Sequence, residues 1–331
     1  MFSINLIFNK FYAIIVPAVI AANSSNNFKT IQEIYKMRKL LSFLLIIIIL
    51  FLSVFGVFLV FFLTGYDVYR DVSYGGDPCE VMDIYIPKDA YGKKEIGCVL
   101  FIHGGSWSGG DKKEEELRCR HVANNGFVAV SMNYTLYSDE KAGVYNVGMV
   151  LDEIDLALVR VKNFTAELGI NVTKGATAGY SAGAHLSMLY SFSRGKDAPI
   201  EIAFTANMAG PADICPSIWG DELSIIIGER LSGEEISPED LHSGRADEIL
   251  RSISPVTYVN SNTPPSIFVY GGADTTVSKE NGESLKRRFE EAGVKYDYVF
   301  LPDANHALIH NPKARLSYPA LLVKYCKEYL D

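Results

Sequence analysis

The sequence predicts an α/β fold, with a mostly parallel central sheet and helices on both of its faces. Two continuous apolar runs, Ile96–Ile102 and Phe127–Met132, are typical of strands that are buried on both faces. The stretch Asn146–Leu168 has its apolar residues at the spacing of an amphipathic helix. Because short apolar runs and helical patterns alternate after residue 66, neighbouring strands are expected to run parallel, with helices packed across them.

The remaining elements follow the same alternation. An edge-type strand is predicted at Val81–Ile86, where polar and apolar residues alternate before Pro87. Further strands are expected at Lys174–Ala178, Ile200–Met208, Ser266–Tyr270 and Tyr296–Leu301, and further helices at Lys112–Asn124, directly after Ser181, at Ser278–Ala292 and at Leu316–Leu330. Residues 212–254 interrupt this rhythm. They are expected to form either an insertion over the carboxyl edge of the sheet or a packed helical connection.

The N-terminal segment is predicted to lie outside the globular domain, which spans residues 66–331. Residues 40–64 are uncharged and almost wholly apolar, and the run exceeds the roughly 20 residues that a membrane-spanning helix needs. Residues 1–39 are basic, so this segment is expected in the cytoplasm and the globular domain across the membrane. Two alternatives stay open, namely cleavage of the apolar run as a signal peptide, which would secrete the domain, and a misassigned translation start upstream of Met37.

The composition excludes several functional classes. The formal net charge is −8 at pH 7, from 39 acidic and 31 basic residues. Because nucleic-acid binding needs clustered lysine and arginine, no nucleic-acid partner is expected. The five cysteines are widely spaced and form no C-x-x-C pair, so neither a zinc ribbon nor a redox motif is indicated. Nothing in the sequence indicates an oligomeric state.

A G-x-S-x-G motif at Gly179–Gly183 makes Ser181 a candidate nucleophile. In this motif the serine stands on a sharp turn between a strand and a helix, and the flanking glycines avoid side-chain clashes. The small residues before the motif and the helix-forming residues after it fit that arrangement. A serine hydroxyl is a weak nucleophile at neutral pH, so the site also needs a base, an orienting acid and donors for the developing oxyanion.

The oxyanion donors are predicted in the loop after the first central strand. His103-Gly104-Gly105 matches the H-G-G pattern of loops whose backbone N–H groups stabilise the oxyanion, together with the N–H that follows the nucleophile. The expected donors are therefore Gly104, Gly105 and Ala182. His103 itself is expected to anchor the loop rather than to take part in catalysis.

The acid and the base are predicted after two later strands. Asp274 follows the glycines that end one apolar strand, and His306 lies in the loop after the next strand. The chain order Ser181, Asp274, His306 is one of the orders known for Ser-His-Asp triads. Three alternatives remain. Asp274 would instead cap a turn, Asp303 would be the acid, or His310 would be the base.

No metal and no organic cofactor is expected. His306 and His310 have the i, i+4 spacing of a zinc-binding helix, but no glutamate of an H-E-x-x-H motif lies between them and no third ligand stands out. A Ser-His-Asp triad performs acyl transfer with protein groups alone.

Taken together, these residues resemble the α/β-hydrolase superfamily. The similarity is to carboxylesterases of the feruloyl/acetylxylan-esterase-like and hormone-sensitive-lipase-like groups, and the kynurenine formamidases also look similar. It extends from about Tyr66 to the C-terminus, and the segments that carry it are His103–Trp107, Asn133–Tyr134, Gly179–Leu186, Ser254–Val256, Asp274 and His306. Two positions depart from the relatives. Ser106 replaces a glycine of the hormone-sensitive-lipase group, and Tyr180 replaces its aspartate and the histidine of the formamidases.

This resemblance implies an α/β-hydrolase fold and, with the motifs, a serine hydrolase that cleaves carboxylic esters. Ser181 is the expected nucleophile, His306 the base and Asp274 the orienting acid, acting through an acyl-enzyme on a small-molecule ester. An amidase, peptidase or formamidase with the same triad is the first alternative. A non-catalytic binding module with a hydrolase fold is the second.

Overall fold

The computed structural model describes residues 28–62, 65–92, 95–308 and 311–331. The chain divides into two compact units, Met1–Thr64 and Gly65–Asp331. In the first unit, helix α1 runs over Phe28–Phe62.

Among the residues that the structure describes, no helix is both long enough and apolar enough to cross a membrane. The transmembrane anchor predicted over residues 40–64 is therefore not supported by the described residues. Residues 1–27 of the predicted cytoplasmic segment, and residues 63–64 of the predicted span, lie outside the described residues. The predicted location of the globular domain across a membrane stays a prediction.

Strands and helices alternate through the second unit. The strands are β1 (Tyr66–Ser73), β2 (Val81–Pro87), β3 (Ile96–Ile102), β4 (Val128–Met132), β5 (Val172–Tyr180), β6 (Glu201–Met208), β7 (Ser266–Gly271) and β8 (Tyr296–Leu301). The helices are α2 (Glu116–Asn124), α3 (Val147–Glu167), α4 (Ala182–Ser193), α5 (Pro216–Trp219), α6 (Asp221–Ser232), α7 (Pro238–Ser243), α8 (Arg245–Ser252), α9 (Glu280–Ala292) and α10 (Pro312–Tyr329).

Within the described residues, these strands form one sheet in the order β1-β2-β4-β3-β5-β6-β7-β8. The pairs from β4 to β8 are parallel, while β2 is antiparallel to both of its neighbours. The prediction of a mostly parallel sheet is confirmed. The prediction that Val81–Ile86 is an edge strand is wrong, because β1 pairs along its outer side. Pro87 is the last residue of β2 and lies opposite Tyr66 of β1, beyond the pairing with β4, which ends at Tyr85.

The core lies on both faces of the sheet. Every residue of β3 and β4 is buried, which accounts for their continuous apolar sequences. Helix α3 packs against one face through Val150, Ile154 and Leu158, all fully buried. Asn146 caps this helix by accepting the N–H of Met149. Because parallel strands end at one edge, the loops after β3, β5, β7 and β8 meet there.

The segment over 212–254 is packed into the domain as helices α5 to α8. Leu231, Ala246 and Leu250 from these helices are buried in the same apolar cluster as α3. Arg230 also reaches the loop after β3, where its Nη1 donates to the carbonyl of Ser106 over 3.4 Å. The segment is thus a packed helical connection that also borders the carboxyl edge of the sheet.

A buried ion pair connects the edge of the sheet to the chain after β3. Lys112 is 2% exposed, and its Nζ lies 2.5 Å from Oδ1 of the fully buried Asp83 and 2.8 Å from Oδ1 of Asp71. Arg70 Nη1 provides a second cation, 2.7 Å from Asp83 Oδ2. A short 3₁₀ turn carries Lys112 inward, so the helix predicted from this residue begins four residues later, as α2.

Replacing Lys112 with methionine is expected to lower the free energy of unfolding by about 3 kcal/mol, because Asp83 would stay buried and charged with one cation fewer. Denaturant unfolding measures this loss. Lys113→Met is the matched control, since Lys113 is exposed on the same turn and its loss is expected to stay within about 0.5 kcal/mol. Equal losses in the two variants would contradict a stabilising role for the buried pair.

Candidate active site

Ser181 stands on the turn between β5 and α4. Its backbone has φ 54° and ψ −123°, and a non-glycine residue in so sparsely populated a region stores on the order of 1–3 kcal/mol of strain. The Ser181 N–H donates to the carbonyl of Met208 over 2.9 Å, and the Ser181 carbonyl accepts from the N–H of His185 over 3.0 Å. These bonds to β6 and to the first turn of α4 hold the strained residue in place.

This turn requires a close approach between α4 and β3. A Cβ atom on Gly183 would lie 2.0 Å from the carbonyl oxygen of Ile102, and one on Gly179 would lie 2.4 Å from the carbonyl of Gly183. Neither distance leaves room for a side chain. Glycine at both positions therefore allows α4 to begin against the end of β3, which brings Ser181 beside the loop that follows β3.

The structure brings Ser181, His306 and Asp274 into one hydrogen-bonded line. His306 Nε2 lies 3.0 Å from Ser181 Oγ, and His306 Nδ1 lies 2.7 Å from Asp274 Oδ2. Because a carboxylate only accepts, Nδ1 carries the hydrogen, and in the neutral imidazole the lone pair of Nε2 faces the serine hydroxyl. This arrangement allows Nε2 to take the hydroxyl proton as the serine oxygen attacks an electrophile.

Asp274 is held from a second side as well. Its Oδ1 accepts the backbone N–H groups of Thr276 and Val277 over 2.8 and 2.9 Å, and its side chain is fully buried. Asp274 therefore caps a turn, as the alternative role required, and contacts His306 at the same time. The rival acid, Asp303, is exposed. The rival base, His310, lies outside the described residues.

The loop after β3 lies against the serine turn. A Cβ atom on Gly104 would lie 3.4 Å from Ser181 Cβ, so this glycine directly borders the candidate nucleophile. Gly105 follows with φ 116°, and Ala182 begins α4, where the first N–H groups have no carbonyl partner within the helix. The structure therefore brings all three predicted donors to the neighbourhood of Ser181. Their action on an oxyanion stays a prediction.

His103 is bonded within its own loop. Its Nδ1 donates to the Gly104 carbonyl over 2.7 Å, and its ring stacks on that of Tyr134 with centroids 4.4 Å apart. The Tyr134 hydroxyl in turn donates to the His103 carbonyl over 3.1 Å. Burial lowers the pKa of His103, which favours the neutral ring at neutral pH. These contacts fit an anchoring role for this histidine.

A second buried histidine connects three segments around the site. Trp107 Nε1–H donates to His185 Nδ1 over 3.2 Å, and His185 Nε2–H donates to the Ile253 carbonyl over 2.8 Å. These bonds join the loop after β3, helix α4 and the end of the 212–254 segment. Neither partner of His185 could be predicted from the sequence.

Tyr180 makes a contact that sequence reasoning did not predict. Its hydroxyl donates to the backbone carbonyl of His306 over 2.7 Å, and the two rings lie 5.2 Å apart. The sequence marked Tyr180 only as a departure from its relatives. Its place directly before Ser181 was the available signal, but a partner so distant in the chain cannot be inferred from that position.

Among the described residues, no group of three or more histidine, cysteine, aspartate or glutamate side chains is arranged to hold a metal ion. The zinc alternative involved His310, which lies outside that part of the chain.

The chain belongs to the BD-FAE family, whose model matches residues 82–289. This span runs from β2 into α9, and it contains Ser181 and Asp274 but ends before His306. The match confirms the resemblance to α/β-hydrolase carboxylesterases that the motifs indicated.

Similar proteins carry esterase names. Esterase LipC of Mycobacterium tuberculosis is 25% identical over 244 residues, which cover 72% of this chain and 59% of LipC. A probable isoprenylcysteine alpha-carbonyl methylesterase of Oryza sativa subsp. japonica is 30% identical over 120 residues, or 36% of this chain and 27% of that protein. The matched region therefore spans 59% of the length of LipC and 27% of the length of the plant protein.

A truncated carbohydrate esterase from gut microbiota has a similar structure. It superposes with a TM-score of 0.66 at 18% identity, covering 80% of this chain and 97% of that one. At this identity the likeness concerns the fold, and the mostly parallel sheet with its flanking helices fits the α/β-hydrolase fold.

The buried His185 predicts a loss of stability in acid. Burial lowers its pKa to about 4, whereas an unfolded histidine titrates near about 6.5. Between these values the unfolded chain binds a proton that the folded protein excludes. The stabilisation from the neutral ring is therefore complete above pH 6.5 and is lost as the pH falls to 4, by about 3 kcal/mol in total.

Denaturant unfolding of the wild type and of His185→Gln across this pH range measures the effect. The difference in the free energy of unfolding between the two proteins should shrink by about 3 kcal/mol from pH 7 to pH 4. Both proteins contain the same carboxyl groups, so the titration of those groups cancels in the difference. The exposed His242 provides the control, and the stability difference for His185→Gln should change with pH by more than the difference for His242→Gln. A pH-independent difference for His185→Gln would contradict the assignment.

Proposed function

We propose that this protein is a serine hydrolase that cleaves carboxylic esters through an acyl-enzyme intermediate. The observation that carries the proposal is the hydrogen-bonded line from Ser181 Oγ through the His306 ring to Asp274. The strained turn under Ser181 supports the same assignment, because such strain is concentrated at functional sites. The esterase names of the similar proteins favour an ester substrate.

In the proposed reaction, Ser181 Oγ attacks the acyl carbon while His306 Nε2 takes its proton. Asp274 holds the ring in the required tautomer and stabilises the imidazolium that forms. The N–H groups of Gly104, Gly105 and Ala182 are the proposed donors to the tetrahedral oxyanion. His306 then gives the proton to the departing alcohol. Water, activated by the same nitrogen, attacks the acyl-enzyme and releases the acid with free Ser181.

The substrate is proposed to be a small-molecule ester, with amide cleavage as the alternative. The same triad serves both reactions, which differ in how the leaving group is protonated and bound. A matched ester and amide with the same acyl group separates the two. An amide turned over faster than its ester would replace the esterase assignment by an amidase.

Ser181→Ala is expected to lower the kcat for p-nitrophenyl acetate hydrolysis by a factor of at least about 10³, because the nucleophile is lost while binding and oxyanion contacts remain. Initial rates at saturating substrate measure it. Ser193→Ala, at the far end of helix α4, is the matched control and should keep the wild-type kcat.

Two outcomes would overturn the proposal. Activity that survives in Ser181→Ala would show that this serine is not the nucleophile. A wild type that hydrolyses neither p-nitrophenyl acetate nor the matched ester and amide would favour a binding module. His306→Ala compared with His310→Ala tests the base, and only the former is expected to abolish activity.

A further inference from the structure

We infer that Tyr180 is a positioning residue that holds the base loop, residues 302–308, against the candidate nucleophile. The inference rests on the proposed function and extends it to the residue that precedes Ser181. It assigns a mechanical role to the tyrosine at the position where the chain departs from its relatives. Tyr180 is not proposed to contact the substrate.

The contact is made through the main chain of His306. The Tyr180 hydroxyl donates to the His306 carbonyl over 2.7 Å, and the two rings lie 5.2 Å apart with their planes tilted by 38°. Tyr180 is half-buried, and burial raises the pKa of its hydroxyl to about 12. The phenol therefore keeps its proton, and remains a donor, throughout the neutral and mildly alkaline range.

Tyr180 also touches the loop that carries the predicted oxyanion donors. A Cβ atom on Gly104 would lie 3.2 Å from Tyr180 Cδ1, so the ring packs closely against this glycine. One side chain thus contacts the base loop and the loop after β3, and it is covalently joined to Ser181. Its displacement would alter the spacing of all three parts of the site.

The base loop is also held by backbone hydrogen bonds at points away from the serine turn. The Ala273 N–H donates to the Ala304 carbonyl over 3.0 Å and joins the loop to the segment that carries Asp274. The Leu308 N–H donates to the His306 carbonyl over 2.8 Å within the loop itself. The Tyr180 hydroxyl adds a bond from the nucleophile turn to that same carbonyl.

The expected consequence falls on kcat rather than on KM. The distance of 3.0 Å between His306 Nε2 and Ser181 Oγ determines how readily the proton moves, and a misplacement of about 1 Å costs up to about 100-fold in rate. Because Tyr180→Phe removes the bond to the His306 carbonyl and keeps the ring beside Gly104, we expect it to change the position of the base rather than the binding of substrate.

The test compares Tyr180→Phe with Tyr318→Phe in the full-length protein. Tyr318 is a matched control, since it is buried and its hydroxyl also donates to a backbone carbonyl, that of Ala206, over 3.0 Å. Tyr180→Phe should lower kcat for p-nitrophenyl acetate by roughly 10- to 100-fold, with KM within about twofold of the wild type. Tyr318→Phe should leave both constants within about twofold.

Two further measurements keep the test decisive. Titration with a fluorophosphonate counts the competent sites, so that kcat is corrected for any misfolded fraction, and thermal unfolding checks each variant. The inference would be overturned if the kcat of Tyr180→Phe stayed within twofold of the wild type, or if it fell no more than the kcat of Tyr318→Phe. If Ser181→Ala were inactive in the same assay, the proposed function would be unaffected by that result. Full activity in Ser181→Ala would instead refute the proposed function.

Discussion

The close contact between Gly183 and the carbonyl of Ile102 is the constraint on which the rest of the site depends. It seats helix α4 against the end of β3, since a Cβ on Gly183 would lie only 2.0 Å from that oxygen. The turn before the helix is then forced to be sharp, and Ser181 takes a positive φ. The same contact brings the loop after β3 to the serine. The candidate nucleophile and the predicted oxyanion donors are thus placed by a single packing requirement.

A strained turn has to be held by its surroundings, and here several of the holding bonds join segments that are distant in the chain. The Trp107–His185–Ile253 bonds tie the loop after β3 to α4 and to the 212–254 segment. The buried Lys112–Asp83 pair fixes the chain beyond that loop to the sheet edge. On the other side, the Tyr180 hydroxyl meets the base loop. Removing one such bond is therefore expected to change geometry at Ser181 even where the variant side chain lies away from it.

The sequence predicts those features that depend on local pattern. The apolar runs of β3 and β4 reflect burial on both faces, and the motif around Ser181 carries its own turn chemistry. The position of β2 within the sheet does not follow from local pattern, because it depends on whether another strand pairs along its outer side. That strand, β1, was not predicted because its sequence is largely polar. The partners of Tyr180 and His185 likewise depend on tertiary packing between distant segments, to which no spacing rule applies. The burial of Lys112 was missed for the same reason, since the two residues that follow it, Lys113 and Glu114, are charged and exposed.

In the proposed mechanism, Ser181 Oγ forms the covalent bond to the acyl group of the substrate. Mass spectrometry of peptides from the full-length protein after reaction with a fluorophosphonate tests it most directly, because such a reagent bonds to an activated serine oxygen. One adduct is expected, on the peptide that contains Ser181, and none when His306 is replaced by alanine. An adduct on another residue, or an unreactive Ser181 in folded protein, would contradict it.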